Sequence, residues 1–549
     1  MTDNVNATAK QGRNEWLVLC ILVLLAAGVR TWIAANTYLI STDSAVFLRS
    51  AEFFREGELT EALALDFHPL YPLAMAGLSR LSGLDLESCG VIISIALGSL
   101  TILPLYFITR ELFNPLAGVL AALALVFHPY SAKQSADIMS EAAYIFFLIS
   151  GAWALLWGMK RGSVVFIAMW GTCSGLAYLV RPEGLGLLIA GMAWMILCRA
   201  AKVKREMRVT GIVLAVTACV VVAGPYILHL SRDMEGFDIP LSRKKSVFQL
   251  LGIKKKTADN SEQYLTAEEA RTKLLEKQLY GYRPEARSKP KQLLDLAGEF
   301  SRTMGFFGLA SIAGVIALLA ARNRAWGNMW LLFILIVYSA VLTLLYLNVY
   351  RSQTPSQRHV LPLVTVCMVW AGYGLERLTV WIRGALGHRA SPALAGAAPV
   401  ILLLIIFTGS EIYLMRPRRL NQLGVKYMAE IIDSQGVSSP LIMTSEEKLP
   451  YYAGGRLITL PPVNNERVTA DRLIEYAKLA GVHFIVVSEE DCDPAREHSF
   501  KFLDPENHDP RLELLERRAD EPAVRKRYRV DVELDDDERF IAYRIKRGR

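Results

Sequence analysis

The feature that most limits the fold of this chain is a series of apolar segments separated by short polar loops. A helix that spans a membrane needs about 20 mostly apolar residues, and about eleven segments approach that length. They are residues 16–36, 89–108, 116–128, 138–157, 164–180, 185–198, 209–230, 306–321, 329–348, 360–378 and 395–414. Hydrophobic residues make up 52% of the chain, and its mean hydropathy is +0.28. The sequence therefore predicts a polytopic α-helical membrane protein.

The positions of the basic residues predict how these helices are oriented. The net charge is +8, and many basic residues stand in short clusters at 160–161, 199–208, 322–324 and 377–389. Lys and Arg favour the cytoplasmic side of membrane proteins, so the clusters place the N-terminus inside and indicate topology rather than nucleic-acid binding. The predicted outer face then receives residues 36–88, 129–137, 181–184, 231–305, 350–358 and everything after 415. We expect a multi-pass protein of the cytoplasmic (inner) membrane.

The composition changes near residue 416. Residues 1–415 carry the apolar segments, with interfacial helices predicted in the first outer loop (36–88) and a charged helix predicted at 261–282 in the long outer loop (231–305). Beyond this point short strands alternate with helices; the strands are predicted at 440–443, 457–460, 484–487, 527–532 and 540–545, and the helices at 428–432 and 470–479. Such alternation is typical of a small α/β domain. We predict that 416–549 form a soluble, extracytoplasmic α/β domain.

The seven cysteines indicate neither a disulfide framework nor a metal site, because no two of them have CxxC spacing and most lie in apolar segments. The sequence also lacks a Walker motif, a GxGxxG motif after a strand and a clear HExxH motif. We therefore expect no cofactor, no metal ion and no nucleotide-sugar donor.

Asp43 stands in the first predicted outer loop, directly after the first spanning segment. A carboxylate at a membrane surface can accept a proton from an acceptor hydroxyl, or orient that hydroxyl. The alternative is that Asp43 caps a helix that begins at Ser44, since Asp is a favoured N-cap residue. Asp43 is our first candidate catalytic residue.

The next outer loop, 133–141, supplies two more acids. Asp137 and Glu141 are one helical turn apart, so both can project from one face of a helix. Capping is the alternative for Asp137, whereas Glu141 lies deeper in an apolar helix, where an ionisable group is costly and so becomes a functional candidate. We include both as candidate catalytic residues, and Lys133 as a candidate substrate-binding residue.

Two further motifs carry basic residues. Arg181 and Glu183 flank Pro182 at a break between two apolar segments; they could bind substrate or simply pair with each other. Arg351, Arg358 and His359 precede another apolar segment, and guanidinium groups bind phosphate in bidentate fashion. The alternative for these arginines is contact with lipid headgroups. His68 is a further candidate substrate-binding residue.

Taken together, these motifs resemble those of the GT-C superfamily of polyprenyl-phosphate-sugar glycosyltransferases, in the branch of protein O-mannosyltransferases and lipid A aminoarabinose transferases. The motifs that carry the resemblance are Asp43, His68-Pro69-Leu70-Tyr71-Pro72, Glu141, Arg181-Pro182-Glu183-Gly184 and Arg358-His359-Val360-Leu361-Pro362. The resemblance implies an inverting hexosyl or pentosyl transfer from an undecaprenyl- or dolichyl-phosphate sugar, with the first-loop Asp as catalytic base. It also implies membrane lipids and a glycan, lipid or protein acceptor as partners.

The chain departs from the family pattern at two positions. Many relatives have an Asp-Glu pair in the first loop, whereas Ser44 follows Asp43, and His359 stands where tyrosine commonly follows the arginine. Two rival classes stay open. A transporter or flippase of lipid-linked substrates would also use charges within the membrane, but it would show related halves and a site near the midplane. A non-catalytic envelope assembly protein would use the C-terminal domain to bind a partner.

Overall fold

The computed structural model describes residues 2–65, 67–197, 205–231, 240–242, 245–246, 267–280, 288–320, 326–349, 355–386, 408–409, 414–496, 499–515, 519–530, 533–534 and 539–546. The chain divides into two compact units. One, here called the membrane unit, comprises residues 1–35, 46–255 and 285–416. The other, here called the sheet unit, comprises residues 36–45, 256–284 and 417–549.

Helices make up most of the described part of the membrane unit. In chain order the helices up to residue 386 are α1 Thr2–Ala35, α2 Thr42–Glu56, α3 Leu59–Ala64, α4 Leu70–Ser82, α5 Leu86–Leu100, α6 Ile102–Leu112, α7 Pro115–Phe127, α8 Pro129–Ser135, α9 Glu141–Arg161, α10 Val164–Val180, α11 Leu185–Leu197, α12 Arg205–Ser231, α13 Ala267–Tyr280, α14 Lys289–Met304, α15 Phe306–Ala320, α16 Trp326–Val349 and α17 Gln357–Leu386. Of these, α13 belongs to the sheet unit and α2 begins in it. A short antiparallel pair, β1 Pro240–Ser242 and β2 Lys245–Ser246, follows α12.

Among the described residues, five helices are long and apolar enough to cross a membrane. They are Asn14–Ala35, Leu86–Leu112, Glu141–Arg161, Met207–Leu230 and Gln357–Ala385, and they coincide with five of the predicted spans. Two bent pairs, α7 with α8 at 63° and α14 with α15 at 97°, raise the number to seven if each pair is one span. Shorter apolar helices cover the predicted spans near 164–180, 185–198 and 329–348, and most of the predicted span 395–414 lies outside the described residues. The protein is a polytopic helical membrane protein.

Small residues let two of these helices meet backbone to backbone. A Cβ atom added at Gly374 of α17 would overlap the carbonyl oxygen of Ala310 in α15, and one added at Gly314 would overlap that of Trp370. Close approach through small residues is the usual way in which membrane helices pack, because lipid provides no hydrophobic driving force between them. This contact fixes α17, whose first turn carries Arg358 and His359.

The sheet unit contains a five-stranded sheet in the order β4-β3-β5-β7-β6. Its strands are β3 Leu441–Thr444, β4 Arg456–Thr459, β5 Phe484–Ser488, β6 Leu512–Leu514 and β7 Phe540–Ile545. Strand β3 runs parallel to β4 and β5, and β7 runs antiparallel to β5 and β6. The accompanying helices are α18 Leu423–Asp433, α19 Lys448–Tyr452, α20 Ala470–Leu479, α21 Glu489–Cys492 and α22 Glu521–Tyr528. Buried apolar clusters cover both faces of the sheet, with residues such as Phe484 and Val486 in one and Ile485 and Val487 in the other.

The strand predicted at 527–532 is wrong where the structure describes it. Residues 527 and 528 are the last of helix α22. Asp520 caps the start of that helix by accepting a hydrogen bond from the backbone N–H of Ala523, and Arg529 ends it in the left-handed conformation with φ 55°. The local capping signals favoured a helix over the strand suggested by the apolar pattern, because side-chain capping satisfies backbone groups at the helix start.

Two segments far away in sequence belong to the sheet unit. Helix α13, at the position of the charged helix predicted in the long outer loop, places Leu275 and Leu279 in the apolar cluster of α20, and Asn465 donates to the Leu279 carbonyl at 2.7 Å. Residues 36–45 pair with the start of the C-terminal region through an isolated parallel bridge between Thr37 and Arg418. The carboxylate of Asp43 is therefore carried by a segment that clusters with the sheet unit.

Candidate functional site

A pocket in the membrane unit, with about 450 Å³ of empty space when the part open to solvent is counted, gathers half of the predicted site residues. Its lining residues come from the start of α9, the break after α10, the middle of α16 and the start of α17; they are Glu141, Tyr144, Arg181, Glu183, Ser339, Thr343, Arg358, His359 and Pro362. Five of these, Glu141, Arg181, Glu183, Arg358 and His359, were predicted from the sequence. Glu141 and Arg358, which are 217 positions apart in the sequence, thus line the same pocket. Motifs that are separate in the sequence therefore meet at one site.

Arg181 is the centre of an ion-pair network on the pocket wall. Its Nη1 donates to Glu141 Oε1 at 2.7 Å, and its Nη2 donates to Glu183 Oε1 at 3.3 Å. The side chain of Glu141 is 2% exposed, and its Oε2 has no hydrogen-bond partner among the described residues. A buried carboxylate is costly unless it is paired, and Arg181 supplies that partner for Glu141. The Arg181–Glu183 ion pair, which the sequence analysis gave as the alternative to substrate binding, is present. Glu141 is a third member of the same network.

The chain break at 181–184 explains the orientation of Arg181. Pro182 cannot continue α10, and a 3-10 turn at Pro182–Gly184 follows. A Cβ atom added at Gly184 would overlap the backbone of Ala177 and Tyr178, so only glycine allows the turn to fold back on α10. Tyr338 donates its hydroxyl proton to the Glu183 carbonyl at 3.1 Å and fastens the turn from α16.

Arg358 and His359 lie in the first turn of α17. The Nδ1 atom of His359 accepts the backbone N–H of Ser356 at 3.1 Å, which is the geometry of a helix cap. Its backbone carbonyl accepts the Thr343 hydroxyl at 3.4 Å. These contacts give His359 a structural role at the helix start and fix the first turn from which Arg358 projects. Arg351, the third member of this predicted group, lies outside the described residues.

His68, Lys133 and Asp137 are not among the residues that line this pocket. His68 is buried and packs edge-on against the rings of Tyr178 and Tyr226, with centroid distances of 4.9 and 5.3 Å. Lys133 lies on the short helix α8. Asp137 is buried in the turn that follows, where its carboxylate accepts the Ile138 backbone N–H at 3.0 Å. Their predicted roles stay predictions.

Asp43 lies in the first turn of α2, which begins at Thr42 rather than at Ser44. The start of this helix is held by Ser41 and Ser44. Their hydroxyls are 2.6 Å apart, and the Ser41 backbone N–H donates to Ser44 Oγ at 3.2 Å. Both interpretations of Asp43, catalytic base and helix cap, stay predictions.

Three hydrogen bonds join the segment that carries Asp43 to the rest of the sheet unit. The Tyr38 N–H donates to the Arg418 carbonyl at 3.1 Å, Arg419 Nη1 donates to the Leu39 carbonyl at 2.8 Å, and the Ile40 N–H donates to the Tyr452 hydroxyl at 3.1 Å. The Leu39 side chain is buried in the apolar core of the sheet unit. These contacts fix the backbone just before the predicted base.

A second acid of the sheet unit is close enough to Asp43 to interact with it. Glu447 follows strand β3, and its burial, together with the Asp43 and Glu446 carboxylates, raises the pKa of Glu447 above its usual value. The sequence analysis did not select this residue. The available signal was its position after a parallel strand, where ligand-facing groups of α/β sheets commonly lie.

Comparison with known proteins identifies the fold. A family model described as dolichyl-phosphate-mannose-protein mannosyltransferase matches residues 66–226. The structure of ArnT from Cupriavidus metallidurans in the apo state superposes with a TM-score of 0.58 and 13% identity, covering 97% of this chain and 98% of that one. The chain is a membrane protein with the GT-C fold.

Other solved structures with the GT-C fold agree. ArnT from Cupriavidus metallidurans bound to undecaprenyl phosphate gives a TM-score of 0.54 at 14% identity, over 96% of this chain and 97% of that one. The oligosaccharyltransferase AglB from Archaeoglobus fulgidus, in complex with an inhibitory peptide and a dolichol-phosphate, gives 0.56 at 13% identity, over 88% and 70%. No curated protein matches the sequence significantly. The matched range 66–226 includes Glu141, Arg181 and Glu183 of the pocket.

Proposed function

We propose that this GT-C protein is an integral membrane glycosyltransferase that transfers a sugar from a polyprenyl-phosphate-linked donor to a glycan, lipid or protein acceptor. The observation that carries the proposal is the pocket in which Arg358 accompanies the Arg181 network. Polyprenyl phosphates are present in two of the similar structures, which supports a donor of that class. We further propose that transfer takes place on the outer face of the cytoplasmic membrane.

Within the pocket we assign the donor's phosphate to Arg358. Arg181 is already committed to two carboxylates, at 2.7 and 3.3 Å, so its charge is largely balanced inside the protein. As the bond between the sugar and the phosphate breaks, negative charge develops on the leaving lipid phosphate. A positioned guanidinium stabilises that charge more in the transition state than in the ground state.

We propose Asp43 as the catalytic base. In the proposed step the acceptor oxygen attacks the anomeric carbon, its proton passes to the Asp43 carboxylate, and the anomeric C–O bond breaks with its electron pair going to the polyprenyl phosphate. Inversion follows from a single displacement. Support comes from the resemblance of the first-loop motif and from the contacts that fix its segment.

The test uses the purified full-length protein in proteoliposomes with a radiolabelled polyprenyl-phosphate sugar and a panel of acceptors. An enzyme releases free polyprenyl phosphate, whereas a flippase moves the intact lipid and an assembly protein does neither. Asp43→Asn should fold and still bind donor, but turnover should fall by about two to four orders of magnitude, the usual range for a general base. Glu52→Gln, an exposed acid on the same helix, is the matched control and should keep its turnover. Wild-type turnover in Asp43→Asn would rule out the base role.

A further inference from the structure

Helix α14 precedes the apolar helix α15 but differs from it in charge and direction. Five of the sixteen residues of α14 are charged, and they are Lys289, Lys291, Asp295, Glu299 and Arg302. Ionisable side chains are strongly disfavoured in the bilayer core. Helix α15 has fifteen residues and none of them is charged. The two helices meet at an angle of 97°. Of the two, only α15 has the composition of a helix that enters the membrane.

The bend between the two helices is built into the backbone. Gly305 directly follows α14 and has φ 50° and ψ −134°. Glycine adopts this conformation readily, whereas a residue with a Cβ atom is strained in it. The Gly305 N–H donates to the Ser301 carbonyl at 3.1 Å, so the last turn of α14 is closed before the chain changes direction. The angle between α14 and α15 is therefore a fixed feature of the fold.

One side of α14 packs against the helices of the membrane unit. Its buried polar and apolar residues include Gln292, Leu296, Glu299 and Thr303, and their spacing of three or four places them on one side of the helix. Helix α14 contacts α16 and α17. The Thr303 carbonyl accepts a hydrogen bond from Nε2 of His128 at 2.8 Å. These contacts fix which side of α14 faces away from the protein.

The side of α14 that faces away from the protein has an apolar part and a charged part. Leu293, Leu294 and Ala297 are exposed, Leu294 by 72%, and residues three or four apart are neighbours on a helix surface. Lys291 and Arg302 are also exposed; they are eleven residues, or about three turns, apart and so share another side. An exposed apolar side next to a charged one is typical of a helix that lies in a membrane interface.

The exposed side of α15 shows where the lipid begins. Phe306 is the first residue of α15 and is exposed, and Leu309, Ile312 and Ile316 follow it at a spacing of three or four. On an uncharged helix of a membrane protein, such a stripe of exposed apolar residues faces lipid. The bilayer therefore begins close to Phe306, beside the end of α14.

We propose that α14 is an interfacial helix that binds the lipid surface at the place where α15 enters the membrane. At 97° to a helix that enters the bilayer, α14 lies close to the membrane plane. Leu293, Leu294 and Ala297 then reach the boundary of the acyl chains, while Lys291 and Arg302 stay among the headgroups. Because α14 packs against α17, the lipid surface supports the helix that carries Arg358. The proposal does not depend on the proposed glycosyltransferase activity.

The experiment measures the depth of single labelled cysteines in the full-length protein, reconstituted in vesicles of phosphatidylcholine and phosphatidylglycerol. The background variant lacks the exposed Cys20 and Cys198, and its residual labelling is subtracted. A fluorophore is attached to Leu294→Cys or to Ser301→Cys, and its quenching is compared between lipids with a shallow and with a deep nitroxide. Both positions are exposed, and they are about 10 Å apart along the helix axis.

The matched control is Leu309→Cys with Ile316→Cys, which are exposed on α15 and also seven residues apart. We expect equal, shallow depths for the two α14 positions and a difference near 10 Å for the two α15 positions. If a labelled α14 variant fails to fold, Pro290→Cys and Ala297→Cys replace the pair, since both are exposed and seven residues apart.

Three results would overturn the proposal. A depth difference near 10 Å between the α14 positions would make α14 part of a span. Quenching of the α14 labels by aqueous iodide alone, or by neither iodide nor lipid, would mean that water or another protein surface, such as a second copy of this chain, covers the apolar side. Equal depths for the two α15 positions would show that α15 does not enter the bilayer as the proposal requires.

Discussion

The Arg181 network should be energetically coupled, and its geometry allows the size of the coupling to be worked out. Arg181→Met would leave Glu141, 2% exposed, as an unpaired buried carboxylate. Removing one partner of a buried ion pair costs about 3–5 kcal/mol, chiefly because the other charge is stranded. Glu183 is 28% exposed, so its lost pairing with Arg181 adds only about 0–1 kcal/mol after solvent screening.

The reverse change should cost less. Glu141→Gln removes the buried charge and leaves Arg181 paired with Glu183, so we expect a loss of about 1.5–3 kcal/mol, the scale of a hydrogen bond to a charged group. In the double variant no fully buried charge is left unpaired, and only the 28% exposed Glu183 loses its pairing with Arg181. Its destabilisation should therefore be smaller than the sum of the single losses by about 2–3 kcal/mol, near the upper end of coupling energies for residues in contact.

The assay is reversible unfolding of the purified protein in bicelles with added SDS, followed by tryptophan fluorescence and circular dichroism. Arg49→Met is the matched control, because Arg49 pairs with Glu52 at the same 2.7 Å but with side chains that are 43% and 36% exposed. That control should lose no more than about 1 kcal/mol. A coupling below about 0.5 kcal/mol, or a control as destabilised as Arg181→Met, would refute the reasoning from burial.

Three other predictions concern the donor, pH and topology. Arg358→Lys keeps the charge but loses the fork, and donor titrations should show affinity or turnover weakened by about 1.5–3 kcal/mol; unchanged kinetics would return Arg358 to a headgroup-contact role. Because the folded protein holds the Glu447 proton more tightly than the unfolded chain, that residue's contribution to stability is complete below about pH 4.5 and is lost as pH rises through the raised pKa. Glu447→Gln should therefore raise the thermal midpoint at neutral pH and flatten its pH dependence, and an unchanged pH profile would contradict this. For topology, an impermeant maleimide should label a cysteine placed at the exposed Glu466 in intact spheroplasts but not one at Lys160, and the reverse pattern would overturn the orientation; the native Cys492 is buried and cannot serve.

The helices were predictable because their signal is local. A run of apolar residues of sufficient length predicts a span without knowledge of its neighbours, and the long helices agree with it. The pocket was predictable in part, since Glu141, Arg181 and Arg358 are charged residues beside apolar segments. Tyr144 and Thr343 were missed because the sequence does not show whether a tyrosine or a threonine within an apolar helix faces a pocket or another helix. The orientation of a helix depends on its packing against other helices.

In the sheet unit, too, local sequence patterns predicted some features, whereas others depend on contacts between distant residues. Its parallel strands were visible as short apolar runs, whereas the membership of residues 36–45 in that unit depends on contacts such as Ile40 with Tyr452, which are 412 positions apart. No local pattern carries such information. The helix at Glu521–Tyr528 was mistaken for a strand in part, because its capping residues were given less weight than its apolar positions.

The bonds that hold residues 36–40 to residues 418–452 also set an order of events during synthesis. A ribosome adds about 5–20 residues per second, so roughly 20–80 s separate the synthesis of Ile40 from that of Tyr452, 412 positions later. Until then the backbone that precedes Asp43 lacks its final hydrogen-bond partners. A chain that stops early can insert all its membrane helices and still leave the proposed base unanchored. Completion of the last domain would thus be needed before the proposed base is held in place.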